Sequence, residues 1–425
     1  MLHRHRGFRS TVLTVLGFSV LSVAMAACGS SGKHSATAKR STGVSSAAAA
    51  VPATGTPIKI GLLGTFSGTS EAPEQAAARD TYQAWVSTVN ASGGIEGHPI
   101  DLIIMDDAAN PGTSVADVET LLSDHVVAIA DSSLVDETWA ATVQAAHIPV
   151  VGFNNTESPF DQNPDFYPAG ETIESTAYAL VAAAKTAGAA NFGVLYCAEA
   201  IQCAEYVPLY KSASQKIGLP FPYNASISAT APNFTAQCLA AQEAHITALL
   251  INDSPQTIER VAANCHQQGY NPLYVEQGDG TNLTVTSAPG LSQNTLLIFG
   301  EYPYFSTSPI VQPMNAAVDK YDPGLRASTT GGWNGYAENG WVGGLLLGAA
   351  IKAGGLTPSA TPTSSEIRSG LDNLNGNDLD GWTSPLSFTS GHTHSDNCWF
   401  TAVVKRGATG VGNKGRPTCE PGSDG

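Results

Sequence analysis

Charge is scarce in this sequence of 425 residues, where Asp, Glu, Lys and Arg together make up 13%. Positive charge is the scarcer sign: 20 Lys and Arg stand against 36 Asp and Glu, for a net charge of −16. That balance excludes an electrostatic hold on nucleic acid or on an anionic membrane surface. Long apolar runs are scarce too. The stretch from about Thr11 to Ala24 falls short of the ~20 residues a membrane-crossing helix needs, and no later stretch is longer. Catalytic signatures are missing as well. The sequence contains no G-x-S-x-G elbow, H-E-x-x-H, P-loop, or G-x-G-x-x-G between a strand and a helix, so neither an enzyme nor a cofactor is expected. No C-x2-C spacing or Cys/His pairing marks a metal site. His392-Thr393-His394 lies among Gly, Ser and Thr and reads as a turn, and Asp106-Asp107 at a strand end reads as a pair that orients loops.

What is present begins with an address. His3, Arg4, His5, Arg6 and Arg9 precede the apolar stretch, and Met25-Ala26-Ala27-Cys28 follows it. This order of charge, apolar segment and small residues defines a secretory signal over residues 1–27. A cysteine directly after the cleavage point matches the bacterial lipobox, with Met25 where leucine is usual. Cys28 is then the lipidated N-terminus, anchored through acyl chains at the outer face of the cytoplasmic membrane. Loss of Arg4, Arg6 and Arg9 with the signal takes the net charge from −16 to −19. From Cys28 to Thr56 the chain is rich in Ser, Ala, Thr and Gly and reads as a tether, because it cannot bury enough surface to order itself. The remaining residues exceed what one core usually supports, so two domains are expected.

Six further cysteines, Cys197, Cys203, Cys238, Cys265, Cys398 and Cys419, imply disulfides in an exported chain. They allow fifteen pairings. Joining neighbours in sequence gives Cys197–Cys203, Cys238–Cys265 and Cys398–Cys419.

Beyond the tether, short apolar runs alternate with helical spacing. Ile58–Leu63, Ile100–Met105, Val126–Ala130 and Val150–Phe153 read as strands. Helical patterns lie between them over Gln75–Asn90, Val115–Leu122 and Asp136–Ala146. A second series follows, with strands Phe192–Tyr196, Ala248–Asn252, Leu273–Glu276 and Leu296–Phe299 between further helices. Strands that are apolar throughout and alternate with helices indicate parallel βαβ units, here in two α/β lobes. Helices are expected again over Val311–Tyr321 and Gly335–Ala353. Two antiparallel strands, Leu386–Phe388 and Trp399–Lys405, are expected at the end.

Several pieces, taken in order, resemble a known family. Ile58-Lys59-Ile60-Gly61 with Ser67-Gly68, then Asn90-x-x-Gly93-Gly94-Ile95-x-Gly97 and Asp106-Asp107, are similar to the opening of type I solute-binding proteins of ABC transporters. The branched-chain amino-acid receptors are the nearest group. The resemblance continues through Val126–Ser133, His147-Ile148-Pro149-Val150, Asp253, Glu276–Gly280 and Ser384-Pro385-Leu386-Ser387-Phe388, and covers about 57–406. It implies the two-lobed type I periplasmic-binding-protein fold, each lobe a doubly wound parallel sheet, joined by three hinge crossovers. These fall near Gly170–Thr172, Tyr302–Tyr304 and Asn377–Gly381. The N-lobe would be 57–172 plus 303–378, and the C-lobe 173–302 plus 379–419.

The same resemblance implies a monomer that captures a small polar molecule, such as an amino acid or amide, and delivers it to an ABC permease. A ligand-sensing receptor that signals to a membrane partner is the alternative. Ligands of open α/β sheets sit beyond the carboxyl ends of the strands, which selects six loops. Phe66 and Ser67 follow the first strand. Ser132 and Ser133 follow the third, where the family holds a ligand carboxylate, although Ser133-x-x-Asp136 also fits a capping box. Asn154 and Asn155 follow the fourth, and their carboxamides both donate and accept. In the other lobe the candidates are Gln202 in the loop closed by Cys197–Cys203, Asp253, and Glu276 with Gln277. In the family an acid in the last of these loops meets the ligand ammonium.

Overall fold

The computed structural model describes residues 52–69, 72–153, 157–199, 201–328, 332–392 and 397–421. The signal, Cys28 and most of the tether lie outside these residues, as do Asn154, Asn155 and the side chain of Gln202.

The first αβ series comprises β1 (Ile58–Gly64), α1 (Ala72–Ala91), β2 (Ile100–Asp106), α2 (Pro111–Ser123), β3 (Ala128–Ser132), α3 (Ala140–Ala146), β4 (Val150–Gly152), α4 (Pro159–Gln162) and β5 (Phe166–Pro168). Its five strands form one parallel sheet in the order β2-β1-β3-β4-β5. The second series comprises α5 (Ile173–Thr186), β6 (Phe192–Cys197), α6 (Ile201–Ile217), β7 (Tyr223–Ile227), α7 (Thr235–Glu243), β8 (Ala248–Asn252), α8 (Pro255–Gln267), β9 (Leu273–Gln277) and β10 (Thr295–Phe299). Then come α9 (Gln312–Tyr321), α10 (Tyr336–Ala353) and α11 (Ser364–Asp372), followed by β11 (Cys398–Lys405), β12 (Ala408–Val411) and β13 (Thr418–Cys419). The second sheet runs β12-β11-β10-β9-β8-β6-β7, with β13 paired to β11. It is parallel from β7 to β10, and β11 joins β10 in the opposite sense.

Burial explains why these segments are strands. In β3 every residue is buried, and in β1 all but Lys59 are, as expected for strands covered on both faces by helices. The return of the chain to the first sheet is visible in α10, which packs along α1 and reaches β4. Three glycines on α10 permit this approach. A β-carbon at Gly340 would lie 2.0 Å from the Ala78 carbonyl oxygen, and one at Gly343 or Gly344 would lie 2.4 Å from the Phe153 or Trp85 ring. The chain therefore passes between the sheets three times: after β5, after β10, and between α11 and β11. Two of these passages touch. A β-carbon at Gly170 would sit 2.5 Å from Glu301 Oε1, and one at Gly300 would sit 2.8 Å from the Glu171 backbone nitrogen. The Tyr302 N–H donates to the Trp382 carbonyl at 2.7 Å, tying the second passage to the third.

The three disulfides join Cys197 to Cys203, Cys238 to Cys265 and Cys398 to Cys419, the neighbour-to-neighbour pairing. All six cysteines belong to the half built on the second sheet.

Three local expectations are corrected. Leu386–Phe388 is not a strand. Leu386 forms an isolated antiparallel bridge with Asn377, and the Ser387 hydroxyl accepts from the Gly376 N–H at 2.9 Å. Pro385 just before it carries no N–H to extend a ladder. The helix expected over Asp136–Ala146 is broken at Trp139 (φ −127°, ψ −8°) into a 3-10 turn and α3, because Asp136 and Trp139 are both drawn fully inside. Four strands, β5, β7, β12 and β13, lie where the sequence pattern shows none.

Candidate functional site

Parallel register brings the carboxyl ends of the first sheet to one edge. Gly64 is opposite both Asp106 and Ser132, and Gly152 is opposite Asp131 and Pro168. The loops beyond that edge are organised by two aspartates. Asp106 accepts from the backbone N–H groups of Phe66, Ser67 and Ala108 at 3.0–3.1 Å. Asp107, fully buried, accepts from the hydroxyls of Thr65 (2.7 Å) and Ser133 (2.6 Å) and from the Ala109 N–H (2.9 Å). Both carboxylates orient loops, as their strand-end position suggests.

This network separates two neighbouring serines. Ser133 is engaged: its hydroxyl donates to Asp107 and accepts from the Val135 N–H at 3.1 Å. No capping box forms with Asp136, because the turn that begins there has Val135 at its cap and no side-chain bond. Ser132 is also fully buried, yet its hydroxyl has no partner. A buried hydroxyl without a hydrogen bond is costly, by about 1–3 kcal/mol. Ser132 is therefore the serine with bonding capacity to offer. Phe66 is nearly buried beneath the Arg79 guanidinium, 5.4 Å from the ring centroid, while Ser67 is exposed.

Gln75, in the first turns of α1, was not singled out from the sequence. It is fully buried with neither carboxamide atom partnered. Its place just after the Phe66–Thr69 loop was the available signal.

The edge is acidic. Asp131 and Asp136 are both fully buried. Burial pushes Asp131 up to about 8, and nearby Asp107 adds to the rise. Burial, with Asp131 and Glu157 beside it, holds Asp136 well above the carboxylate range.

On the second sheet, Tyr196 is opposite Asn252, and Ile298 is opposite Gln277. Glu276 and Gln277 differ sharply here. Glu276 is fully buried inside the sheet and both its oxygens are 3.3 Å from the Ile251 N–H. Burial raises its pKa well above the usual value. The β8–β9 pairing covers only Ala248 with Leu273 and Leu249 with Tyr274, so the Glu276 carboxyl takes the Ile251 N–H where the ladder ends. Gln277 keeps partial exposure and hydrogen-bonds Tyr206 of α6. Asp253 accepts from the Ser254 N–H (2.7 Å) and hydroxyl (3.2 Å) at the start of α8. Beside it, the Asn252 amide nitrogen is buried without a partner.

Tyr206 connects the two edges. It is 5% exposed, bonded to Gln277, and within electrostatic reach of Glu157, Glu171 and Asp161 from the first half. Burial, reinforced by Glu174, pushes Asp161 up to about 6. A hollow of about 500 Å³ lies elsewhere, between Trp85, Ile95, Leu345, Lys352, Leu374 and Asp380. It touches none of these loops.

The family model described as "Periplasmic binding protein" matches residues 57–409. Solved structures share the fold at low identity. A fatty acid ABC transporter substrate-binding protein from Thermomonospora curvata aligns with a TM-score of 0.70 at 16% identity, over 87% of this chain and 94% of its own. A leucine binding protein from Thermotoga maritima aligns at 0.66 and 14% identity, over 83% and 97%. An ABC transporter solute binding protein from R. palustris, in complex with benzoate, aligns at 0.67 and 14%, over 86% and 98%. No curated protein sequence matches the chain.

Proposed function

Because the chain belongs to the periplasmic binding protein family, whose members bind solutes rather than transform them, we propose that it captures a small polar molecule between two lobes and delivers it to an ABC permease. The lobes in this reading are 57–172 with 303–378, and 173–302 with 379–419. Cys28 carries the lipid that keeps the protein at the outer face of the membrane. Among the described residues no helix is long and apolar enough to cross a membrane.

One observation carries the choice of ligand: unpartnered buried polar atoms of Ser132, Gln75 and Asn252 lie near the strand ends together with Glu157, Asp161 and the Asp131–Asp136 pair. Hydroxyl and carboxamide groups suit a neutral polar partner. Asp161, pushed up only to about 6, stays mostly ionised near neutral pH and favours a neutral or positively charged partner over an anion. An amide, an amino acid held through its ammonium, or a related amine fits this lining. A free fatty acid or benzoate, named for two structural neighbours, does not. Phe66, Ser67, Gln277 and Tyr206 would complete the wall.

A thermal-shift screen of the purified protein tests this reading, because a ligand that binds only the folded state raises its apparent stability, by about 2.7 kcal/mol at a hundredfold excess over Kd. The panel covers aliphatic and aromatic amino acids, amides, polyamines, sugars, fatty acids and aromatic acids. Neutral or amine-bearing compounds should raise Tm. A shift confined to fatty acids and aromatic acids would overturn the ligand class.

A further inference from the structure

The hollow of about 500 Å³ against α1 and α10 stands apart from the strand-end loops. Its walls are apolar: Trp85 comes from α1, Ile95 from the turn that follows, Leu345 from α10, and Leu374 from just past α11. Gly348 of α10 keeps it open. A β-carbon there would lie 3.2 Å from Trp85 Cζ2 and 3.8 Å from Ile95 Cδ1, so a side chain would cover both. The volume falls within the roughly 300–1,000 Å³ of small-molecule sites.

Two charges of opposite sign stand at its exposed rim. Lys352, in the last turn of α10, and Asp380, in the third passage between the sheets, both line the hollow and are both exposed. Among the described residues, neither side chain forms an ion pair or a hydrogen bond, with the other or with any neighbour. Opposite charges that line one hollow without meeting leave the space between them to a molecule carrying both signs. The passage beside them is unusually wound: Leu379, Asp380 and Gly381 follow one another at φ +48°, +62° and +86°. That region is costly for the first two, and such conformations gather at ligand clamps and switch regions.

We propose that the hollow is a second binding site, and that it takes a small zwitterion with an apolar body, of the class of the apolar amino acids. The carboxylate would face Lys352 and the ammonium Asp380, with the apolar side chain against Trp85, Ile95, Leu345 and Leu374. Burial of that side chain supplies affinity. The exposed charges add little each, but they select the class: a lone anion would meet Asp380, and a lone cation would meet Lys352. The bound molecule would brace Leu379 and Asp380 in their left-handed winding and so raise Tm, because it binds only the folded chain. The assignment is independent of which solute binds at the strand ends.

Calorimetric titration of the purified protein with L-leucine, 4-methylpentanoate and 3-methylbutylamine tests the proposal, with Tm followed in parallel. The three share one apolar body and differ in charge. Leucine should bind in the hollow about 2- to 5-fold tighter than either analogue. Ala349 lines the hollow from α10, so Ala349→Trp should fill it and abolish this binding, while Ser132→Ala should leave it intact. If Ala349→Trp fails to fold, the exposed rim decides. Lys352→Met should erase the advantage of leucine over 3-methylbutylamine, and Asp380→Asn its advantage over 4-methylpentanoate. The proposal is overturned if leucine does not bind, if the analogues bind in the hollow as well as leucine does, or if both rim variants behave like the parent. Leucine binding that Ser132→Ala removes and Ala349→Trp leaves would belong to the strand ends alone. That result would sink the second site and uphold the ligand reading, which keeps the two failures distinct.

Discussion

Asp131 and Asp136 stand together inside the first sheet's carboxyl edge, both fully buried, and Asp131 raises the proton affinity of Asp136. Burial comes first, and the neighbouring Asp107 and Glu157 carboxylates add to it. A carboxyl whose folded pKa is raised binds more protons folded than unfolded. Its contribution is full below the unfolded value, near 4, and is lost as pH rises through the folded value, about 8 for Asp131. Without ligand, Tm should therefore fall between pH 5 and pH 8, and Asp136→Asn should flatten the slope. A Tm that climbs over this interval would contradict the protonated pair.

The adjacent serines should respond differently to alanine. Ser133→Ala removes a buried hydroxyl bonded to Asp107 and the Val135 N–H, and should lower unfolding stability by about 1–3 kcal/mol. Ser132→Ala removes a hydroxyl with no partner. Its unfolding stability should stay within about 0.5 kcal/mol of the parent or rise, while affinity for the solute found in the screen falls. Urea unfolding and solute titration on both variants decide it, and equal behaviour would remove the distinction.

Gly300→Ala places a methyl 2.8 Å from a backbone nitrogen, that of Glu171. A backbone atom cannot swing aside, so overpacking of about 1–3 kcal/mol is expected. The strain falls where two passages touch. Solute affinity should change along with Tm, although Gly300 is remote from Ser132 in the chain. A variant with parental Tm and affinity would show that the two passages can separate freely.

The disulfides should differ in weight. Loop closure gives about 2 kcal/mol for the bridge spanning 6 residues and about 3.5 kcal/mol for the one spanning 27. Replacing Cys238 and Cys265 with serine should thus lower unfolding stability more than replacing Cys197 and Cys203. The shorter bridge lies beside Gln202 and should show instead in solute affinity. The reverse ranking in chemical denaturation would sink this assignment.

Much of the architecture is legible in the sequence because parallel strands covered on both faces are apolar along their length. β1, β3, β6, β8 and β10 stand out for that reason. β7 does not, since its residues alternate between partial exposure and full exposure until Ile227, and the three residues of β5 are too few to show a pattern. The site is harder to read. Ser133 and Glu276 have the right residue types at strand ends, yet bonds to Asp107 and Ile251 occupy them. Which of two adjacent residues is free depends on partners 25 or 26 positions away. A cluster of Asp279, Glu301 and Glu338 shows the same limit. Local spacing reveals a cluster of acids only when one segment supplies several, and here each comes from a different one.

The order of the bridges along the chain bears on how the protein matures after export. A chain leaving the membrane N-terminus first presents Cys197 and Cys203, then Cys238 and Cys265, then Cys398 and Cys419. Each thiol meets its own partner before the next pair emerges. Pairing in order of emergence would give the three bridges that the structure holds.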